Sequence, residues 1–375
     1  MRVDIVSSTL PPKLDGIGDY TARLAAELST RVQVRVLTGE DSEPTQIPNV
    51  SIRQAFSAAK RRSVRHLEHV VEAGAPDWLL LQYNPYSYGR WGLNLELPMV
   101  IRSLKKRLPN MNIAVMVHEP FVPADNWKFM VMTTWQRWQL WMLGQSADVL
   151  FFSIEPWTKR FQTWWPNKPV VHLPVGSNIP FLHTSKSDAR AQRGIREHAT
   201  VIGLFGTAHP SRMLDRVRSA AKTVLRQAND DLLLYVGPHG QEVQVALRGI
   251  PVFDAGILTP EEVSRHFAAM DIYLAPFADG VSTRRTSFIA GLQHGVPTVG
   301  TTGPLTDEIL LRERDQAFFL APVSSAQEFD AQVMRLVRDA QLRSRMGAEG
   351  RRLFERAFAW NVIAEHLLHY LKKGG

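Results

Sequence analysis

Short apolar runs rich in β-branched and aromatic residues recur along the first half of the chain, at 3–7, 32–37, 78–82, 113–117 and 149–152. Between them lie longer segments, at 20–28, 64–71, 93–104 and 127–143, in which apolar residues return every three to four positions. Short unbroken apolar runs predict strands buried on both faces, and the wider spacing predicts amphipathic helices. Alternation of the two predicts a parallel sheet with helices on both sides. The rhythm restarts at 200–205, 232–236, 251–253, 272–275, 298–300 and 318–320, which predicts a second α/β layer. Between the halves, LPVGSNIP at 173–180 gathers two prolines, a glycine, a serine and an asparagine. That composition suits an extended connector, and the boundary is set at about 176.

One segment stands apart in composition. Seven of the ten tryptophans lie between Trp127 and Trp165. At helical spacing Trp127, Val131, Trp135, Trp138 and Met142 share a stripe, which predicts packing of that stripe against the sheet. Trp141, Trp157, Trp164 and Trp165 do not all fit it. The alternative is a basic aromatic surface that touches lipid headgroups, helped by Lys159, Arg160 and Lys168.

Composition then narrows the class. At 375 residues, 45% hydrophobic and 21% charged, the chain has the make-up of a folded protein with two cores. No stretch approaches the roughly 18 apolar residues of a membrane-spanning helix. MRVDIVSSTLPP places Asp4 and two prolines where a signal peptide needs an apolar core, so the cytoplasm is expected. The chain has no cysteine, which excludes disulfides, thiolate metal ligands and a cysteine nucleophile. A net charge of +8 points to an anionic partner: nucleotide phosphates, nucleic acid or an acidic membrane face. The basic residues are spread out with no RNA- or DNA-binding motif, so nucleic acid ranks last.

In open parallel sheets ligands bind beyond the carboxyl ends of the strands, so residues just after each apolar run carry the chemistry. After the first run comes PPKLDGIGDYT, where Gly16 and Gly18 allow close backbone approach and Asp19 can cap a helix starting near Tyr20. Such a loop suits an anion or a sugar hydroxyl, and it equally serves as a plain turn. VMVHEPF places His118 and Glu119 at the end of the fourth run, as a base, a hydroxyl ligand or a structural hydrogen-bonder. GLFGTAHPSRMLD offers Gly206, Thr207 and Arg212, with Arg212 in the first turn of the following helix. A guanidinium there opposes the helix dipole but suits a bound phosphate. The richest stretch runs from 275 to 303: Asp279, Gly280, Val281, Ser282 and Thr283, then Arg284 and Arg285 opening a helix that carries Thr286 and Ser287. Two arginines, several hydroxyls and free helical N–H groups make a diphosphate cradle.

With these residues in place the chain resembles the retaining glycosyltransferases of family 4, which have the GT-B fold. The resemblance rests on the two similar halves, DGIGDYT, the strand ending in His118, the GLFGT turn, HGVPTVGTTG and the terminal AFAWNVIAEHLLHYL at 357–371. It covers essentially the whole chain. It implies two Rossmann-like parallel-sheet domains facing a central cleft: 1–175 for the acceptor and 176–356 for the nucleotide-sugar. A terminal helix in 357–375 is implied to pack back on the first domain. The implied reaction moves a sugar, hexose in type, from a nucleotide-diphosphate-sugar substrate to a hydroxyl of a glycan, lipid-linked or small-molecule acceptor, with retention. No cofactor and no metal is implied, since the sequence has no D-x-D pair and Arg212, Arg284 and Arg285 supply the positive charge.

Carried onto this sequence, donor contacts fall to Gly206, Thr207, Arg212, Asp279, Gly280, Val281, Ser282, Arg284, Arg285 and Ser287. Acceptor contacts fall to Gly16, Gly18, Asp19, His118 and Glu119, and catalytic roles to Asp279, Arg212, Arg285 and His118. The sequence departs from the family in one place. DGVS stands where members have EGFG, so Asp279 replaces the first of two glutamates, and the position eight residues on is Ser287. The ribose is left without a carboxylate partner, which motivates a second reading: a non-catalytic nucleotide-sugar or lipid-surface binding protein. Either reading places the chain in the cytoplasm; peripheral contact with the inner membrane face is the alternative to a tryptophan stripe packed in the core.

Overall fold

The computed structural model describes residues 1–13, 15–39, 46–57, 64–225 and 230–373. The chain divides into two compact units, Met1–Pro174 with Trp360–Gly375, and Val175–Ala359.

In the first unit the element order is β1 (Arg2–Ser7), α1 (Gly16–Leu28), β2 (Gln33–Gly39), β3 (Val50–Phe56), α2 (Val64–Gly74), β4 (Trp78–Tyr83), α3 (Glu96–Arg107), β5 (Asn112–Val117), α4 (Trp127–Ser146), β6 (Val149–Phe152), α5 (Glu155–Gln162) and β7 (Val170–His172). Among the described residues these strands form a seven-stranded sheet in the order β3-β2-β1-β4-β5-β6-β7, and the paired strands are parallel. All six residues of β4 are buried, as a central strand covered on both faces requires. The apolar runs do not mark β3 and β7. β3 is an edge strand with several exposed positions in VSIRQAF, and β7 is only three residues long at the other edge. Edge strands carry less of the core, so their apolar signal is weaker.

The second unit continues with α6 (Lys186–Ala191), β8 (Val201–Phe205), α7 (Leu214–Val224), β9 (Leu232–Val236), α8 (Gly240–Ala246), β10 (Val252–Asp254), α9 (Pro260–Ala269), β11 (Ile272–Ala275), α10 (Thr286–Gln293), β12 (Thr298–Thr302), α11 (Glu308–Glu313), β13 (Phe319–Pro322), α12 (Ala326–Arg338) and α13 (Ala340–Ala357). The described strands form a six-stranded sheet in the order β10-β9-β8-β11-β12-β13. One side of it is filled by Phe267, Tyr273, Phe288 and Phe318, the other by Val217, Leu233, Phe319 and Phe329. In both sheets the order reverses beside the first strand of the unit, β1 in one and β8 in the other. That is the topological switch point at which open α/β sheets bind ligands.

The last helix, α14 (Trp360–Lys373), belongs to the first unit. Its apolar stripe of Ile363, Leu367, Leu368 and Leu371 is buried, Trp360 meets Tyr20 of α1 edge-on at 5.3 Å, and Tyr370 meets Phe151 of β6 at 5.9 Å.

The tryptophan stripe is placed opposite to the expected way. Trp127, Val131 and Trp138 are exposed, while Thr133, Gln136 and Gln139 face inward with Leu140 and Leu143. The cause is hydrogen bonding to nearby loops. Gln136 Oε1 accepts from Val122 N at 2.9 Å and its Nε2 donates to Trp91 O at 3.2 Å. Gln139 Nε2 donates to Gly92 O at 2.8 Å, and Thr133 Oγ1 donates to Val122 O at 2.7 Å. Buried backbone that has no strand partner must be satisfied by side chains, and α4 turns its amides to that task. Trp157 and Trp165 are buried, and Trp164 and Trp165 cluster with Phe161. Nor are the expected basic residues free for a surface role. Arg160 lies over the rings of Phe121 and Phe161, and Lys168 donates to Gly144, Gln145 and Ala147 carbonyls at 2.7 to 2.9 Å, capping the end of α4.

Candidate functional site

In the second unit the residues expected to form the diphosphate cradle lie where β8 and β11 end. Gly206 follows β8 with φ +102°, a conformation that favours glycine. Its N–H donates to Val236 O at 2.9 Å and its carbonyl accepts from Tyr235 OH at 3.0 Å, so the peptide is fixed from both sides. A Cβ at this position would lie 3.2 Å from Arg212 Nη2 and 3.6 Å from Ser287 Cβ. The guanidinium and the first turn of α10 therefore lie close against this glycine, and a side chain here would crowd Arg212. Thr207 is exposed on the same loop.

Arg212 precedes α7 rather than lying inside it, since the helix begins at Leu214, so the expected conflict with the helix dipole does not arise. It pairs with Phe277 in an isolated antiparallel bridge. Its side chain is buried, Nη2 donates to Phe205 O at 2.7 Å, and the guanidinium sits 5.0 Å from the centre of the Phe277 ring. Among the described residues the Nε and Nη1 groups of this buried cation make no hydrogen bond within geometric limits. Unmet donors on a buried guanidinium are costly.

Arg285 forms the N-cap position of α10, which has no side-chain cap. Its guanidinium lies 4.3 Å from the Phe277 ring centre, so Arg212 and Arg285 gather around one aromatic side chain. Arg285 Nη2 donates to Ser211 Oγ at 3.2 Å and stands 3.8 Å from Asp279 Oδ2. Arg284 is half-buried beside it. Between Asp279 and α10 the chain is tightly fixed. Gly280 has φ +83°, and a Cβ there would meet Gly303 N and Thr306 Oγ1 at 2.3 Å. Val281 N donates to Thr301 O at 2.8 Å, and Thr283 N donates to the buried Asp307 at 2.7 Å. Val281 is thus a core residue that holds the loop, and Ser282 is buried with an Oγ that has no partner among the described residues.

The structure brings Gly206, Arg212 and Ser287 close together and gathers Arg285 with Arg212 around Phe277, with Asp279 3.8 Å from Arg285. Sequence reasoning missed Tyr235, Ser211 and Phe277. Phe277 carried a signal, since it stands directly after a predicted strand; Tyr235 and Ser211 act only through tertiary contacts.

In the first unit the corresponding place holds a different chemistry. The cap of α1 is Asp15 rather than Asp19: Asp15 Oδ1 accepts from Ile17 N at 3.3 Å, and Oδ2 accepts from Thr9 Oγ1. Gly16 opens the helix with nothing within 4 Å of a Cβ, so the fold does not require glycine there. Gly18 packs instead on the preceding loop, with a Cβ 3.1 Å from Thr9 O. Asp19 lies in the first turn, and its carboxyl is pushed up to about 6, first by burial and then by the neighbouring Asp15.

His118 follows β5 and is buried. Its Nε2 meets Gln82 Oε1 at 2.7 Å, and its ring sits edge-on to Tyr20 at 4.8 Å. Burial lowers it to about 4, so it is a neutral imidazole near pH 7. Glu119 follows, with Oε2 accepting from Asn84 Nδ2 at 3.4 Å. The switch-point edge of this sheet therefore presents carboxylates and a neutral histidine, where the other unit presents guanidiniums.

Solved structures place this architecture in a known class. Sucrose-phosphate synthase from Thermosynechococcus elongatus is similar over 100% of this chain and 98% of its own, with a TM-score of 0.73 and 15% identity. HepE of Anabaena in complex with UDP is similar over 100% of both chains, at 0.72 and 14%. WaaG, a glycosyltransferase involved in lipopolysaccharide biosynthesis, is similar over 98% of this chain and 99% of its own, at 0.69 and 14%. The fold is that of the GT-B glycosyltransferases. Among curated proteins, the chain is similar to the GDP-mannose-dependent monoacylated alpha-(1-6)-phosphatidylinositol monomannoside mannosyltransferase of Corynebacterium glutamicum, at 24% identity over 251 residues. That match covers 63% of this chain and 65% of the relative, just under two thirds of its length. No protein-family profile matches the chain.

Proposed function

We propose that the chain is a glycosyltransferase that moves a sugar from a nucleotide-diphosphate donor to an acceptor hydroxyl, with retention of configuration and without a metal ion. The observation that carries this reading is Arg212: a buried guanidinium with two N–H groups that make no hydrogen bond among the described residues, close against Gly206 and gathered with Arg285 around Phe277. In the reaction the bond from the anomeric carbon to the diphosphate breaks, and negative charge grows on the leaving oxygens. Arg212, Arg285 and Arg284, with Ser287 in the first turn of α10, meet that charge as it develops. Asp279, restrained by Arg285, takes the hydroxyls of the donor sugar. The acceptor is assigned to the first unit, where Asp19 and His118 accept hydrogen bonds from its hydroxyl and Glu119 flanks them.

The donors to try first follow from the relatives. The Corynebacterium glutamicum protein is named for GDP-mannose, and HepE has been solved with UDP-glucose. Thermal unfolding with each sugar nucleotide identifies the donor, since a ligand at 100 times its Kd stabilises by about 2.7 kcal/mol. Release of nucleoside diphosphate in the presence of an acceptor then establishes transfer.

One observation favours the second reading of a binding protein without turnover: Ser287 stands where the resemblance places a ribose carboxylate. Stabilisation by a sugar nucleotide with no release of diphosphate, with or without acceptors, would support binding alone. Stabilisation followed by release supports the enzyme.

A further inference from the structure

Helix α4 leaves its most apolar face in solvent. Trp127 is 78% exposed, Met130 58%, Val131 51%, Trp141 44% and Trp138 38%. At 3.6 residues per turn these five positions fall on one stripe along the helix, opposite the inward Gln136 and Gln139. Soluble monomers rarely leave so long a run of large apolar side chains uncovered.

The surface continues onto α3 and the turn before it. Leu95 and Met99 are exposed and share a helical stripe with exposed Arg102 and Lys106. Arg102, Lys105 and Lys106 line an open recess of about 370 Å³ together with Trp141 and Met142. Lys105 is paired with Asp148 at 2.6 Å, whereas Arg102 and Lys106 have no ion pair among the described residues. Helix α4 contains no Asp or Glu in its 20 residues and adds Lys128 and Arg137. Trp91 is 56% exposed and sits at φ 57°, a strained conformation for an aromatic residue. The buried Gln136 holds its carbonyl, and the Arg90 guanidinium stacks 5.1 Å from its ring.

We propose that this ridge of α3 and α4 docks the protein on an anionic phospholipid bilayer. Trp138 and Trp141 lie in the headgroup boundary, and Arg102 and Lys106 engage lipid phosphates. The observations select this occupant by their chemistry. Tryptophan beside Lys and Arg is what the boundary between headgroups and acyl chains attracts, because the ring has an apolar body and a polar N–H while the cations meet phosphate. The core of a protein interface instead excludes lysine. A second copy of the chain docked about a two-fold axis would bring the cations of one ridge against those of the other, a like-charge contact. Contact is peripheral, since no helix among the described residues is long and apolar enough to cross a membrane.

The test is co-sedimentation of the full chain with vesicles of phosphatidylcholine alone and of phosphatidylcholine with phosphatidylglycerol, at low and high salt. No sugar donor is present, so the result stands apart from sugar transfer. The expected result is binding to the phosphatidylglycerol vesicles at low salt, weakened at least about tenfold by high salt. The double variant Trp138→Ser with Trp141→Ser should weaken it by about tenfold or more, and Arg102→Gln with Lys106→Gln should weaken binding and flatten its salt dependence. All four side chains are exposed, so the variants should melt like the parent, and circular dichroism checks this. Absence of binding to the anionic vesicles at low salt overturns the proposal. So does equal binding by the parent and both variants, or a lipid-free dimer that the tryptophan variant converts to monomer.

Discussion

Arg212 and Asp19 illustrate what a position just after a strand can hold. Arg212 is buried with two N–H groups that make no hydrogen bond among the described residues, and Asp19 responds to burial by holding its proton to higher pH. The carboxyl of Asp19 is raised from 3.8 to about 6 in the fold, so its ionisation opposes folding. The folded state binds this proton more tightly than the unfolded chain does. The stabilising contribution is therefore present below pH 3.8 and lost as pH rises through about 6. Asp19→Asn should raise the melting temperature at about pH 7.5 and give no gain at about pH 4. Melts of both proteins across that range check it, and an equal gain at both ends would contradict it. His118 carries the opposite sign: lowered from 6.5 to about 4, it stabilises above pH 6.5 and loses that contribution as pH falls toward 4. Arginine and glycine after an apolar run were legible in the sequence because strand ends are where ligands bind. Asp15 as the true cap and Tyr235 as the anchor of Gly206 were not, because their roles depend on which loops the fold brings near.

At the scale of the element, α4 is where periodicity misleads. The argument from spacing assumes that the apolar stripe turns inward. Here the inward stripe is chosen by backbone groups at 91, 92 and 122 that only Gln136, Gln139 and Thr133 satisfy. Nothing local in the sequence records that these loops lie against the helix. The two placements predict opposite mutational patterns. Gln136→Leu should destabilise by about 1 kcal/mol or more, because it removes the hydrogen bonds to the part-buried Val122 N–H and Trp91 carbonyl. Trp138→Ala, at an exposed position, should change stability by about 0.5 kcal/mol or less. Urea titrations of the two variants decide the matter. A large loss for Trp138→Ala with little change for Gln136→Leu would restore the inward stripe. By contrast, strands at the centre of both sheets, such as β4 and β11, were legible within a residue, since burial on both faces leaves an unbroken apolar run.

For the whole molecule, the restart of the strand-and-helix rhythm made two α/β units legible. The residue pattern alone did not say that the last helix returns to the first unit. Truncation after Ala359 removes α14, with its four buried aliphatic residues and the Trp360 contact to Tyr20. Each fully buried side chain of this kind contributes about 1.5 to 3 kcal/mol. The truncated chain should lose the folding cooperativity of the first unit, read by circular dichroism, while still binding the donor nucleotide through the second unit. Loss of nucleotide binding with the first unit intact would contradict this division. The most direct test of the central claim is calorimetric titration of the full chain with UDP, GDP and ADP, repeated for Arg212→Ala and Arg285→Ala. At least one nucleotide should bind the parent, and each variant should weaken it by roughly ten- to 150-fold, the equivalent of about 1.5 to 3 kcal/mol for a lost charge-assisted hydrogen bond. Binding that survives both substitutions unchanged, or no binding of any of the three to the parent, would contradict the account.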